Sequence, residues 1–433
     1  MITVSIVNVT SYTGLELLRL LAEHPQFVVT SVTGRSAKGS RLADVFPWLG
    51  RGLVPAYTGR FFREGQMGRG TREKDTAGDH KGPPHRSPPP SPLRTDEHVS
   101  NKPTRESPVP GPSLANLVIT EDAAPTDLAF VCLPHAAAAE AVLTLLERGT
   151  RVVDLSADFR LREASVYEEW YRHSHPAPAL LESAVYGLCE RYRERIEGAS
   201  LVANPGCYAT AAILGLLPAV AAGIIKPDVI IDAKSGISGA GRSPTPGTHY
   251  AEVNEDVSAY SLNGHRHLPE ITQELEAAAR AAGHPLDQAL RITFIPHLVP
   301  MTRGILATCY ADLNSEGAIM DVDRRSGQRL AYKSAVGCDK SAPTSAEVRS
   351  LYEEYYADEP FVQVVDQAPH TKWTYGSNQC FIYPMVDTRT RRLLVITCLD
   401  NLVKGAAGQA IQNANRLYGL PETTGLPTVA VYP

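Results

Sequence analysis

Three consecutive segments at the start of the chain constrain its fold more than anything that follows. TVSIVNVT is a β-branched apolar run, GLELLRLLAEH places leucines at helical spacing until Pro25, and FVVTSVTGRS is a second β-branched run. Short apolar strands of this kind suit a parallel sheet covered on both faces. Strand, helix, proline stop and strand together read as a βαβ unit. The pattern recurs in DLAFVCLP, the alanine-rich HAAAAEAVLTLLERG and RVVDLSA. Strands alternating with helices predict an α/β fold built on a doubly wound, Rossmann-type parallel sheet.

From Cys207 onward the texture changes. IIDAKSGISGAG, LRITFIPHLVP, GILATCYADL, NQCFIYPMVD and LLVITCLDNL are longer strands with fewer helices between them. They predict an α+β second domain around a large mixed sheet, for which 433 residues at 43% hydrophobic content leave enough material. KGAAGQAIQNANRLYGL is a final amphipathic helix, expected to dock back on the first domain. The organisation expected is a dinucleotide-binding domain over residues 1–206, completed by the helix within 404–433, and a catalytic and oligomerisation domain over 207–403. Residues 61–112 break the pattern, with ten prolines between Pro83 and Pro112. Such a segment cannot bury enough apolar surface to offset its ordering entropy, so it reads as a low-complexity insertion in a surface loop. Its RSPPPSP could act as a proline-rich ligand, although linkers of this composition are commoner. A second polar insertion is expected at about 314–345.

Several classes of function are disfavoured by composition. A net charge of −5 gives no reason to expect nucleic acid, and no apolar run reaches the roughly 20 residues that cross a bilayer. Seven cysteines form no CxxC pair and no regular framework, which suggests reduced thiols. MITVSIVNVT is already a strand, with no signal layout before it, so a cytoplasmic location is expected. The pair His265 and His267 lacks further ligands at zinc spacing, and no metal is expected.

The turn VNVTSYTGLELL stands where a nucleotide-binding βαβ unit carries glycines, which let the backbone approach a pyrophosphate at the helix N-terminus. Only Gly14 is present, and Asn8 and Ser11 occupy positions that call for small, flexible residues. Asparagine adopts left-handed backbone at modest cost. At the end of the second strand, TGRSAKG supplies Arg35, Ser36 and Lys38, and basic residues there suit the 2′-phosphate of NADP better than the ribose of NAD.

Three further features carry chemistry. In ANPGCYATAAILGLLP, Cys207 follows a Pro-Gly pair and opens an apolar helix. It is either a space-filling thiol or a nucleophile, because free N–H groups and the dipole at a helix N-terminus favour a thiolate. In LNGHRHLPEI, His265 and His267 precede a helix beginning near Pro269. Two apart in extended backbone, they would face opposite sides, so only one is expected to face a site. DAKSGISGAGR alternates glycine and serine after a strand and ends in Arg242, a pattern suited to a phosphate or carboxylate.

SYTGLELLRLL, CLPHA, VVDLSADFRL, YGLCE, ANPGCYAT, DAKSGISGAGR, GHRHLPEI, FIPHLVPMTRGILAT and KWTYGSNQC together resemble the semialdehyde dehydrogenase family, its arginine-pathway branch in particular. The resemblance spans nearly the whole chain outside the two insertions. It implies NADPH-dependent reduction of N-acetyl-γ-glutamyl phosphate to N-acetyl-glutamate 5-semialdehyde and inorganic phosphate, through a thioester on Cys207. It implies His267, with His265 beside it, as the acid/base. Thr10, Ser11, Tyr12, Thr13 and Gly14 would form the NADP(H) turn, with Arg35 and Ser36 at the adenosine phosphate. Pro134, Ser238, Gly239 and Asn378 would lie toward the nicotinamide or acyl group. Asn204, Tyr208 and Arg242 would meet the substrate, and His265 and Glu270 would orient His267 or contact substrate. It further implies a homo-oligomer, dimer or tetramer. The same chemistry on N-acetyl-aminoadipyl phosphate, and a non-catalytic NADP-binding protein, are the alternatives.

Overall fold

The computed structural model describes residues 1–49, 113–283, 288–314 and 343–432, together with the backbone of two short paired strands, Asp321–Val322 and Arg329–Leu330. The proline-rich insertion expected at 61–112 and most of the polar one at 314–345 lie outside the described residues.

The first half is a parallel sheet of seven strands: β1 (Ile2–Val7), β2 (Phe27–Thr33), β3 (Ile119–Thr120), β4 (Leu128–Val131), β5 (Arg151–Asp154), β6 (Val185–Tyr186) and β7 (Leu201–Ala203), in the order β3-β2-β1-β4-β5-β7-β6. Helices α1 (Tyr12–Leu21), α2 (Leu42–Val45), α3 (Ala138–Glu147), α4 (Ala164–Tyr171) and α5 (Cys189–Ile196) connect them. β4, LAFV, is buried at every position, as a central parallel strand requires. The order reverses between β1 and β4, which opens a crevice beyond their carboxyl ends.

The second half follows the buried helix α6 (Cys207–Ala221). Fourteen of its 15 residues are buried, the signature of a helix enclosed on all sides. Its sheet is mixed: β8 (Ile225–Gly236), β9 (Ser258–Ala259), β10 (Arg291–Val299), β11 (Ile305–Leu313), β14 (Val362–Val364), β15 (Cys380–Asp387) and β16 (Arg392–Leu399), where β12 and β13 denote the two short strands above. The order is β14-β15-β16-β11-β8-β10-β9. Helix α7 is Tyr250–Val253, and α8 (Leu268–Ala281) and α9 (Ser345–Tyr355) join α6 on one face of this sheet. Along β11 and β15 buried residues alternate strictly with half-buried ones, so the face away from these helices is half-buried.

The C-terminal segment is not one continuous α-helix. Val403–Ala407 is a π-helical turn, and α10 (Gly408–Leu417) follows it. α10 returns to the first half, packing on α5, β5 and α1 and joining the core around Ile411 and Leu417.

Candidate active site

The crevice at the sheet reversal is shaped by the turn after β1. Asn8 is left-handed, with φ of 67°, so asparagine supplies the conformation usually left to glycine. Its side-chain Nδ2 donates to the Cys132 carbonyl at 2.9 Å and its Oδ1 accepts from Thr10 Oγ1 at 3.1 Å, tying the ends of β1 and β4 together. Ser11 caps α1: its hydroxyl accepts the Gly14 N–H at 3.0 Å. Gly14 is obligatory, because a Cβ there would meet the Asn8 carbonyl at 2.6 Å. The turn is therefore a glycine-poor cradle that keeps the close backbone approach, and its α1 N-terminus, with Thr13 half-buried and Tyr12 exposed, fits a diphosphate. Arg35 and Ser36 are exposed on a short turn after β2, while Lys38 is paired with Glu121. Pro134 is exposed just beyond β4.

Arg242, expected at the substrate, lies elsewhere. Its guanidinium donates to the Thr10 carbonyl at 2.8 Å and stacks over Phe46, so it braces the turn after β1.

A cavity of about 330 Å³ opens at the N-terminus of α6. Cys207, Tyr208, His265 and His267 line it, with Ser235 and Gly239 on one side and His135, Tyr171 and Arg266 on another. Cys207 is half-buried, whereas Cys132, Cys189, Cys309, Cys380 and Cys398 are buried. Both histidines face the cavity, contrary to the alternation expected of extended backbone. The reason is local: Leu268 N–H donates to the His265 carbonyl at 2.9 Å, and this turn brings the rings to one side, with centroids 4.7 Å apart. His267 N–H also donates to His265 Nδ1 at 3.1 Å.

Two of the expected substrate residues prove to be internal supports. Glu270, 1% exposed, accepts the Gly206 N–H at 2.8 Å and the Tyr186 hydroxyl at 2.7 Å, and lies 3.5 Å from Arg160. Its carboxylate holds the turn before Cys207 and does not line the cavity. Asn204 is likewise buried, accepting from Asn413 at 3.0 Å and donating to the Ala406 carbonyl at 3.1 Å. Asn378 also lies outside the cavity: it is fully buried and donates to Gln412 of α10 at 3.2 Å. Ser238 accepts from Asn401 at 2.9 Å behind Gly239. Tyr208 stays in the cavity wall, its hydroxyl donating to the His297 carbonyl at 3.1 Å and accepting from Tyr260 at 3.3 Å.

Burial dominates the electrostatics. It pushes the Cys207 thiol up to about 11, although a Tyr208 N–H bond to the sulfur and the nearby Arg160 charge act the other way. Burial first, then His265, Arg160 and Arg266, hold His267 well below the usual imidazole range. His265 is lowered to about 4 by burial and by Arg266. Both rings are thus neutral proton acceptors at neutral pH.

Arg160 is the residue that sequence reasoning missed. It is 8% exposed, donates to the Asn204 and Leu155 carbonyls at 2.8 and 2.9 Å, and stands 3.5 Å from His267 Nε2. Its place inside the run DFRL gives it no local signal. Tyr171 and Tyr260 carry none either, whereas Ser235 and Arg266 sit within DAKSGISGAGR and LNGHRHLPEI. Among the described residues no group of three His, Cys, Asp or Glu could hold a metal ion, and no helix is long and apolar enough to cross a membrane.

Comparison with known proteins supplies the context. Residues 103–199 match the semialdehyde dehydrogenase NAD-binding domain, and residues 207–341 and 331–401 match the semialdehyde dehydrogenase dimerisation domain. The chain is 44% identical over 428 residues to an N-acetyl-gamma-glutamyl-phosphate reductase of Dehalococcoides mccartyi, covering 99% of this chain and 98% of that one. It is 43% identical over the full length of both chains to a protein of the same name from Heliobacterium modesticaldum. Among solved structures, an aspartate semialdehyde dehydrogenase with NADP from Candida albicans superposes with a TM-score of 0.57 at 13% identity, over 96% of this chain and 98% of that one. Aspartate semialdehyde dehydrogenase II from Vibrio cholerae, complexed with ASA, gives 0.57 at 12% over 97% and 98%. At such identities the likeness to the solved structures is one of fold.

Proposed function

This chain belongs to the N-acetyl-gamma-glutamyl-phosphate reductases of the semialdehyde dehydrogenase family, and we propose that it works through a thioester on Cys207. It reduces N-acetyl-γ-glutamyl phosphate to N-acetyl-glutamate 5-semialdehyde, releasing phosphate, with NADP(H) as cofactor. The observation that carries the mechanism is the shared cavity, in which a half-buried cysteine at a helix N-terminus faces a neutral imidazole.

The chemistry follows from these residues. His267 takes the proton from Cys207 as the sulfur attacks the acyl carbon; the C–S bond forms, the C–O bond to phosphate breaks, and phosphate leaves. NADPH, when bound, supplies the hydride that turns the acyl carbon tetrahedral. His267 lends its proton to the oxygen of the substrate, giving a thiohemiacetal, and takes it back as the C–S bond breaks; the aldehyde is released and the proton passes to the Cys207 sulfur. The α6 N-terminus favours negative charge on sulfur and on the developing oxyanion. Arg160, 3.5 Å from Nε2, favours an unprotonated Nε2 before reaction. Thr10–Gly14 would hold the cofactor diphosphate, and Arg35 and Ser36 its 2′-phosphate. Pro134 and Gly239 would lie along its nicotinamide end.

The half-buried face of the second sheet supports self-association. Ile230 is 38% exposed there, and this half matches a dimerisation domain. The proposal is a homodimer through that face, in the cytoplasm, with a tetramer as its doubled form. Purified protein should oxidise NADPH only when the acyl phosphate is present, and Cys207→Ser should abolish turnover. Persistent activity in that variant would sink the thioester mechanism. Equal rates with the acetyl-aminoadipyl analogue would undo the substrate choice, since one methylene is worth only about 1–3 kcal/mol in an apolar pocket.

A further inference from the structure

Behind Cys207 lies the π-helical turn Val403–Ala407. Its i to i−5 hydrogen bonds, Gly405 N–H to the Asp400 carbonyl at 2.9 Å and Ala407 N–H to the Leu402 carbonyl at 2.8 Å, widen the chain beside the nucleophile loop. Such turns are rare and concentrate at functional sites. Three independent links join it to that loop. Gly405 faces Cys207 so closely that a Cβ would lie 2.8 Å from the Cys207 Cβ and 3.2 Å from the Asp400 carbonyl. The Ala406 carbonyl accepts from Asn204 at 3.1 Å. At the start of α10, Gln409 donates to Thr210 Oγ1 at 2.9 Å, and that hydroxyl donates to the Gly206 carbonyl at 3.0 Å.

The turn itself is anchored. Lys404, fully buried, donates to Glu190 at 2.5 Å and to Gln412 at 2.7 Å. Asp400 accepts Leu402 N–H at 2.8 Å through one oxygen and Gly376 N–H at 2.7 Å through the other. With both ends held, the turn cannot move aside for a larger residue at 405; Cys207 must.

We propose that this π-helical turn positions the Cys207 sulfur, with Gly405 setting its depth at the start of α6 and Gln409, through Thr210, fixing the carbonyl before it. The inference rests on the reading of Cys207 as the nucleophile. Gly405, Gln409 and Thr210 are positioning residues, since none of them lines the cavity.

The test compares Gly405→Ala, Thr210→Val and Thr210→Ser with Cys207→Ser in the full chain. Gly405→Ala is expected to lower kcat about 100-fold, the scale of a misplaced reacting group. KM and NADPH binding should stay within about twofold, because displacing the sulfur leaves the binding surfaces in place. It should also shift the pH profile of Cys207 alkylation by iodoacetamide, which a merely structural role would not move. If Gly405→Ala does not fold, Thr210→Val should lower kcat about tenfold, as expected for one lost hydrogen bond, and Thr210→Ser should restore most of it. Wild-type kcat and alkylation profile in Gly405→Ala or Thr210→Val, with Cys207→Ser inactive, would overturn the inference and leave the nucleophile intact. An active Cys207→Ser would overturn both.

Discussion

His267 lies directly over the α-carbon of Gly206, the residue before Cys207, so closely that its Nε2 leaves no room for a Cβ there. The glycine of the Pro-Gly pair is thus fixed by the imidazole proposed as the proton acceptor for its neighbour. A side chain at 206 must push the ring away from the sulfur. Gly206→Ala is expected to lower kcat about 100-fold, on the scale of a misplacement near 1 Å. NADPH affinity, measured by fluorescence titration, should not change.

Burial holds the Cys207 thiol up at about 11 and His267 well below its ordinary range. A raised thiol value means the protonated form persists through neutral pH, and a lowered imidazole value means the ring is neutral there. Substrate-free enzyme should therefore be alkylated slowly at pH 7, with the rate climbing past pH 9. The acid limb of kcat/KM should lie below pH 6.5. An alkylation rate already level at pH 7 would indicate a preformed thiolate–imidazolium pair instead.

Arg303, just before β11 in the second half, grips Glu16 of α1 with two hydrogen bonds of 2.9 and 2.7 Å, and Glu16 is 3% exposed. Removing the cation leaves the buried carboxylate with Arg19 alone, 2.7 Å away, and the loss of a charge-assisted hydrogen bond costs about 1.5–3 kcal/mol. Arg303→Met should lower the melting temperature clearly and raise KM for NADPH, because α1 carries the turn proposed to hold the cofactor. Equilibrium unfolding and steady-state kinetics on the same preparation check both.

Arg35, exposed beyond β2, is the cation proposed for the 2′-phosphate. A charge-assisted hydrogen bond is worth about 1.5–3 kcal/mol, so Arg35→Ala should raise KM for NADPH about tenfold or more. KM for NADH should barely move. Equal losses with both cofactors would remove Arg35 from that role.

Much of this was legible in the chain. The βαβ opening and the change of texture after Cys207 follow from periodicity, which local burial enforces in the parallel strands and in β11. Asn8 was legible as a tolerable left-handed residue. What periodicity does not encode is which polar groups are consumed internally. Glu270 and Asn204 look like substrate ligands in sequence, but burial obliges them to satisfy the Gly206 N–H and the Ala406 carbonyl. The pairing of His265 with His267 was misjudged because a turn, not an extended segment, precedes α8. Arg160 and the π-helical turn depend on contacts across more than forty residues, and no local pattern announces them.

In the proposed mechanism the acyl group passes through the sulfur of Cys207. Enzyme mixed with N-acetyl-γ-glutamyl phosphate in the absence of NADPH, quenched in acid and digested, tests it most directly. One phosphate should be released per site, with an N-acetylglutamyl mass on the peptide containing Cys207 that is discharged when NADPH is added before the quench. An unmodified Cys207 peptide alongside full phosphate release, or the acyl mass on another residue, would contradict it.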